Sequence, residues 1–301
     1  MSISPSRGAY VQHRRNRDVR VGMSQTSKAA SIRTRLLAVK DPLSSDDVAE
    51  LVRVLSRICE LPYSDRGLLM RREIAAHGGL QRTCELMRSV VDRPEEFRCK
   101  VSSTLASLAA DTEIASALMQ VLRSSPWLVE IILELSLSSS LYAQGDAAFL
   151  MGNVLSVGTD VMSDFLSDRI LLKMLEVFRQ QVERGSEHES AENARTFTLA
   201  FLTKALQCHP PSVPTLVSHG FVDPLCLAIA NGYESILPLA LRAIALVCIL
   251  AATTGPTRST IAAALVRHDA MLSSFTSHPD AEVEASAAAI RSFLADPGRT
   301  V

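Results

Sequence analysis

The stretch AAFLMGNVLSVG, Ala147 to Gly158, decides how the chain is read. Small and apolar side chains fill most of it, and one carboxamide, Asn153, interrupts them. Ala, Leu and Met are good helix formers, and the run does not alternate as a half-buried strand would. Two questions follow: whether the rest of the chain repeats this stretch, and whether Asn153 is repeated with it.

The stretch is repeated. FLMGNVL aligns with RVLSRIC (Arg53 to Cys59), STLASLA (Ser103 to Ala109), AFLTKAL (Ala200 to Leu206), IALVCIL (Ile244 to Leu250) and AAIRSFL (Ala288 to Leu294). Successive starts are 50, 46, 51, 44 and 44 residues apart. Between them falls a second apolar segment that opens on a small or turn-forming residue: GGLQRTCELM, SPWLVEIILEL, DRILLKMLEVF, GFVDPLCLAI and HDAMLSSF. A shorter segment precedes each of these: REIAAH, SALMQVL, VMSDFL, VPTLVSH and IAAALVR. The spacing predicts a short helix, a turn, a second helix, a loop and a longer third helix in each unit. Pro62, Pro94, Pro126, Pro210, Pro211, Pro256 and Pro279 fall at the predicted boundaries, where proline does least harm. VERGSEHESAEN (Val182 to Asn193) and SLSSSLYAQG (Ser136 to Gly145) read as surface loops. No Val/Ile/Thr run flanked by hairpin turns competes.

A fixed period of this length marks a helical repeat array. Over roughly residues 44 to 295 the pattern resembles the armadillo repeat, with the two-helix HEAT repeat as the near competitor. The resemblance implies an all-α fold, a right-handed α-solenoid of about five armadillo-like repeats. Such repeats bury their apolar faces by stacking, and the third helices line a groove. The expected organisation is a disordered basic tail over residues 1–42, an armadillo-like helical repeat domain over 43–296 and a short C-terminal tail over 297–301.

In the importin-alpha branch of that family, asparagines on successive third helices hold the backbone of a bound peptide, and tryptophans wall in its lysine stems. Here the positions equivalent to Asn153 are Arg57, Ser107, Lys204, Cys248 and Ser292. The positions equivalent to the tryptophan are Arg53, Ser103, Phe149, Ala200, Ile244 and Ala288. Neither set forms a series, so the resemblance carries the fold and not that peptide specificity. Asn153 is either a single polar contact or a structural residue. The groove candidates are Arg53, Arg57, Ser107, Phe149, Asn153, Lys204 and Ser292. Their mixed chemistry points to a protein partner with an acidic or mixed-charge segment. Arg53 and Arg57, four residues apart, form the acid-recognition patch.

The chain holds 301 residues, 47% hydrophobic and only 5% aromatic, with a net charge of −1. Residues 1–40 contain seven Arg and two Lys against Asp18, so the charge is unevenly divided. An acidic body argues against a nucleic-acid groove, which needs clustered Lys and Arg. Three readings fit the basic tail: a solvated disordered segment, a mitochondrial transit peptide, or an arm that docks on an acidic surface. SIRTRLLAVK (Ser31 to Lys40) reads as a short helix leading into the repeats. The N-terminal segment lacks the apolar core of a secretory signal, and the longest apolar run, Ala243 to Ala252, is too short to span a bilayer.

The six cysteines, Cys59, Cys84, Cys99, Cys208, Cys226 and Cys248, form no CxxC pair and read as buried reduced thiols of a cytoplasmic protein. Seven scattered histidines give no metal-ligand spacing. GPTRST (Gly255 to Thr260) lacks the phosphate-loop spacing, and Glu187, His188 and Glu189 sit in a polar stretch with no apolar wall. No catalytic, cofactor or metal residue is expected. The expected function is therefore a non-enzymatic interaction scaffold that binds a protein partner in its groove. A nuclear-transport-adaptor-like or nucleic-acid-processing protein on a helical-repeat scaffold is the alternative.

Overall fold

The computed structural model describes residues 27–39, 43–88, 93–158, 165–185, 188–251 and 255–295, and all regular structure among them is helical. The helices are α1 (27–38), α2 (Ser45–Cys59), α3 (Asp65–Ala75), α4 (Gly79–Arg88), α5 (Glu95–Ala109), α6 (Thr112–Ser124), α7 (Pro126–Ser136) and α8 (Leu141–Leu155). They continue as α9 (Asp168–Glu183), α10 (Glu189–Cys208), α11 (Val213–Ser218), α12 (Val222–Ala230), α13 (Leu237–Leu250), α14 (Gly255–Val266), α15 (Asp269–Ser274) and α16 (Ala281–Ala295). The six aligned stretches close α2, α5, α8, α10, α13 and α16, so the predicted third helices are these. The second helices are α4, α7, α9, α12 and α15, and the first helices are α3, α6, α11 and α14. The remaining first helix, expected at VMSDFL, falls mostly on 161–164, outside the described residues.

The chain divides into two compact units, Met1–Ile114 and Ala115–Val301. In the first unit α2 presents Leu51, Val54, Leu55 and Ile58 to α5, whose Phe97, Val101, Leu105 and Leu108 are also buried. A capping box between Ser44 and Asp47 starts α2. The fully buried Arg71 of α3 donates from Nη2 to the Leu61 carbonyl (2.5 Å), from Nη1 to the Pro62 carbonyl (2.9 Å) and from Nε to Ser107 Oγ (3.2 Å). Those carbonyls lie just beyond the end of α2, where backbone acceptors lack helical partners. The Tyr63 ring covers the guanidinium at 4.5 Å.

One boundary differs from expectation. The basic tail drawn over 1–42 contains α1, and Ala29, Ile32 and Leu36 of that helix are buried. Arg33 meets Glu73 at 2.7 Å, Arg35 pairs with Glu50, and Arg82 donates to the Val39 carbonyl at 2.8 Å. Two of the three positive charges in 27–39, Arg33 and Arg35, are thus compensated within the unit, and the helix buries its apolar face there. Residues 1–26 and 297–301 lie outside the described residues.

In the second unit α8 and α10 pack closely. A Cβ at Gly145 would stand 3.1 Å from the Ala194 Cα, tighter than most real Cβ contacts, so α10 would have to give by a few tenths of an ångström. Ala143, Ala147 and Ala148 on α8 and Ala191 and Ala205 on α10 are buried in the same manner. The loop expected over Val182 to Asn193 is shorter than its polarity implied, because α9 runs to Glu183 and α10 starts at Glu189. His188 caps α10 by accepting from the Ser190 amide, and Glu189 and Glu192 favour the positive end of its dipole. Likewise α8 begins at Leu141, inside the stretch expected to link it to α7.

Two stability outcomes follow. Replacing Arg71 with Met leaves two carbonyls and a hydroxyl without their donor, so thermal melts should show a loss of about 2–4 kcal/mol. Gly145→Val overpacks the α8–α10 contact and should cost about 1–3 kcal/mol, read as a lower urea midpoint at unchanged m-value.

Candidate functional site

The third helices of the second unit each keep one face out of the core. On α8 that face carries Tyr142, Asp146, Phe149, Asn153 and Ser156, at steps of four and three residues. On α10 it carries Asn193, Phe197, Ala200, Lys204 and Gln207, in the same rhythm. The two faces adjoin, because the Phe149 and Phe197 rings stack with centroids 4.6 Å apart and planes 27° apart. Such a pair contributes about 0.5–1.5 kcal/mol beyond its buried area, yet both rings remain half-exposed.

Asn153 lies one turn beyond Phe149. The side chain is half-buried, and its Nδ2 is shielded from water without meeting an acceptor. A donor left in that state is costly, so it counts against a purely structural role for the residue. Lys204 stands at the equivalent position of α10, half-exposed and without an ion pair among the described residues. Phe149, Asn153 and Lys204, all singled out from sequence, are therefore brought onto one surface.

On α13 the alignment is out of phase. Ile244 and Cys248, aligned with Phe149 and Asn153, are 0% and 2% exposed. Arg242, Leu246 and Ile249 face outward instead, two residues earlier in register for the first pair. The reason is that α13 is apolar on almost every side, so its hydrophobic pattern has no phase of its own. Arg242 reaches Glu282 of α16 at 3.3 Å, and Ser292 and Ala288 of α16 are exposed.

In the first unit Arg53 and Arg57 are both exposed on α2. Arg53 is held by Glu50 at 2.9 Å and donates to the Ala49 carbonyl, whereas Arg57 makes no ion pair among the described residues. Ser107 is not on the surface. It is 4% exposed and accepts the Nε hydrogen of Arg71, because a small hydroxyl there leaves room for the guanidinium of α3. Ser107 belongs to the core and leaves the list of groove residues.

Sequence reasoning missed Tyr142, Phe197, Arg242, Leu246 and Ile249. Extending the outward rhythm backward from Ala200 would have reached Phe197; for α13 only the charge of Arg242 carries the phase. Trp127 is half-buried at the start of α7. Burial pushes the thiols of Cys84, Cys226 and Cys248 up to about 12, which keeps them protonated and unreactive at neutral pH. No disulfide links the six cysteines. Among the described residues, no three His, Cys, Asp or Glu side chains converge to hold a metal, and no single helix is long and apolar enough to cross a membrane.

No protein-family model matches the sequence, and no curated protein matches it. Solved structures do. The designed armadillo repeat protein YIII(Dq)4CqI is similar at a TM-score of 0.65 and 16% identity, over 88% of this chain and 98% of that one. Computationally designed armadillo repeat proteins for modular peptide recognition give 0.64 and 16%, over 87% and 98%. A further design, YIII(Dq.V1)4CPAF, solved in complex with peptide (KR)4, gives 0.58 and 16%, over 88% and 98%. At this identity the likeness establishes the fold: the chain has an armadillo-like helical repeat fold, as its periodicity implied.

If Asn153 serves a ligand and not the fold, its removal should not weaken the protein. Asn153→Ala is expected to leave stability within about 0.5 kcal/mol of the parent or raise it. A loss above about 2 kcal/mol in denaturant titrations would return Asn153 to a structural role.

Proposed function

We propose that the protein is a non-enzymatic interaction scaffold that binds an extended segment of a protein partner across the outward faces of α8 and α10. One observation carries the reading: a carboxamide donor without an acceptor lies beside a half-exposed aromatic stack on a third-helix face. The peptide complex of a similarly folded design supports a peptide as the kind of ligand. Asn153 as a whole is half-exposed, so a change of rotamer turns its donor toward a peptide carbonyl. With one such residue instead of a ladder, affinity rests on a few apolar anchors, as it does at most interfaces.

Arg57 offers a separate exposed cation in the first unit for an acidic residue of the partner; Arg53 is the weaker candidate because Glu50 already occupies it. Charge from an Arg suits bidentate carboxylate contact. Six cysteines without a disulfide suit a reducing compartment, and the cytoplasm is the compartment proposed.

Selection of random peptides displayed against the full chain tests this. Binders should be recovered, and Asn153→Ala and Phe149→Ala should each weaken them about fivefold or more, while Val266→Ala on α14 leaves affinity unchanged. Failure to recover any binder, or binding indifferent to both α8 and α10 faces, would refute the scaffold reading.

A further inference from the structure

We infer that the segment taken by the α8–α10 face is apolar and acidic: an aromatic or long aliphatic side chain on the Phe149–Phe197 pair, followed by a carboxylate at Lys204. This rests on the scaffold reading above and specifies the chemistry of its partner.

The charge distribution is the first argument. Residues 115–301 hold eighteen acidic side chains against twelve basic ones. Yet the outward positions of α8, α10 and α13 carry Lys204 and Arg242 against the single acid Asp146. Asp146 already has an interaction partner, and Arg242 is tied to Glu282 at 3.3 Å. Lys204 is the one charged side chain among the outward positions of α10, and among the described residues it makes no ion pair. A cationic segment would meet like charge there, and juxtaposed like charges penalise a wrong partner strongly.

The hydrogen-bond inventory agrees. Asn153 Nδ2 and Lys204 Nζ stand at equivalent positions of two directly packed helices, and both are donors without acceptors. Acceptors are what the ligand must bring: a main-chain carbonyl for the amide, a carboxylate for the ammonium.

Geometry sets the spacing. Phe197, Ala200 and Lys204 lie on one face of α10, and seven residues of helix place the ring about 10 Å from the Lys204 backbone. Ala200 between them is small and leaves the floor open. An extended chain advances about 3.3 Å per residue, so a carboxylate two or three residues from the anchor falls within reach of the lysine.

Peptides from the display selection, resynthesised with a fluorophore, decide the matter by anisotropy against the full chain. The expected consensus pairs Phe, Tyr, Trp or Leu with Asp or Glu two or three positions away. Lys204→Glu should weaken the best peptide about tenfold or more, and replacing that peptide's acid with Lys should restore binding to the Lys204→Glu variant. Because Lys204 is half-exposed and unpaired, this variant keeps the fold; matching melting curves verify it. A basic consensus that still depends on Asn153 and Phe149 would overturn this inference and leave the scaffold reading intact. So would an unchanged affinity in Lys204→Glu, or displacement of the acidic peptide by a synthetic peptide of residues 1–26. Absence of any binder removes both.

Discussion

A guanidinium set against the carbonyls at the end of a neighbouring helix recurs in both units, and the packing depends on it. Arg71 donates to Leu61 and Pro62 and Arg82 to Val39 in the first unit. Arg179 donates to His219 and Arg258 to Phe293 in the second. Short helices joined by short turns have many ends, and each end leaves carbonyls that no amide of its own helix can reach. Arginine answers them well: its arm is long, its charge is permanent, and the negative pole of the helix dipole favours it. Arg71 shows the strength of the requirement, since burial pulls its pKa down and the site holds it in place nonetheless.

The same logic extends to neutral groups between α8, α9 and α10. Gln144 donates to the Ser138 carbonyl at 2.6 Å, Gln181 donates to Gln144 at 2.9 Å, and the buried Arg195 reaches the Gln181 carbonyl at 3.4 Å under the Tyr233 ring. A chain of amides and a guanidinium holds three helices in register where small side chains leave little apolar area to do so. Gly145 against Ala194 then lets α8 and α10 approach, and that approach brings Phe149 onto Phe197. The aromatic surface is thus a consequence of the small residues behind it.

Charge therefore has two separate uses in this protein. Arginines that a composition count would assign to solvent, among them Arg71, Arg82 and Arg195, lie inside. Of the charges that stay on the outward third-helix faces, Arg53 and Arg242 are ion-paired, whereas Arg57 in one unit and Lys204 beside the aromatic stack in the other make no ion pair among the described residues. For the proposed binding face, sparse charges next to half-exposed rings would set a sharper specificity than a broad basic field, because each demands one complement in one place.

The sequence by itself determined the helices and their order. Apolar spacing, prolines at boundaries and the recurrence of FLMGNVL are local signals, and they located α2, α5, α8, α10, α13 and α16 and the absence of an asparagine ladder. Phe149, Asn153 and Lys204 were legible for the same reason, each standing out within its own helix. Tertiary structure decided which side of each helix is covered. It buried Ser107 beneath Arg71, turned Arg242 and Leu246 outward in place of Ile244 and Cys248, packed α1 into the first unit, and set Phe197 beside Phe149. None of these is a property of one segment: exposure depends on what the neighbouring helix brings, and an apolar helix such as α13 has no phase until its neighbours supply one.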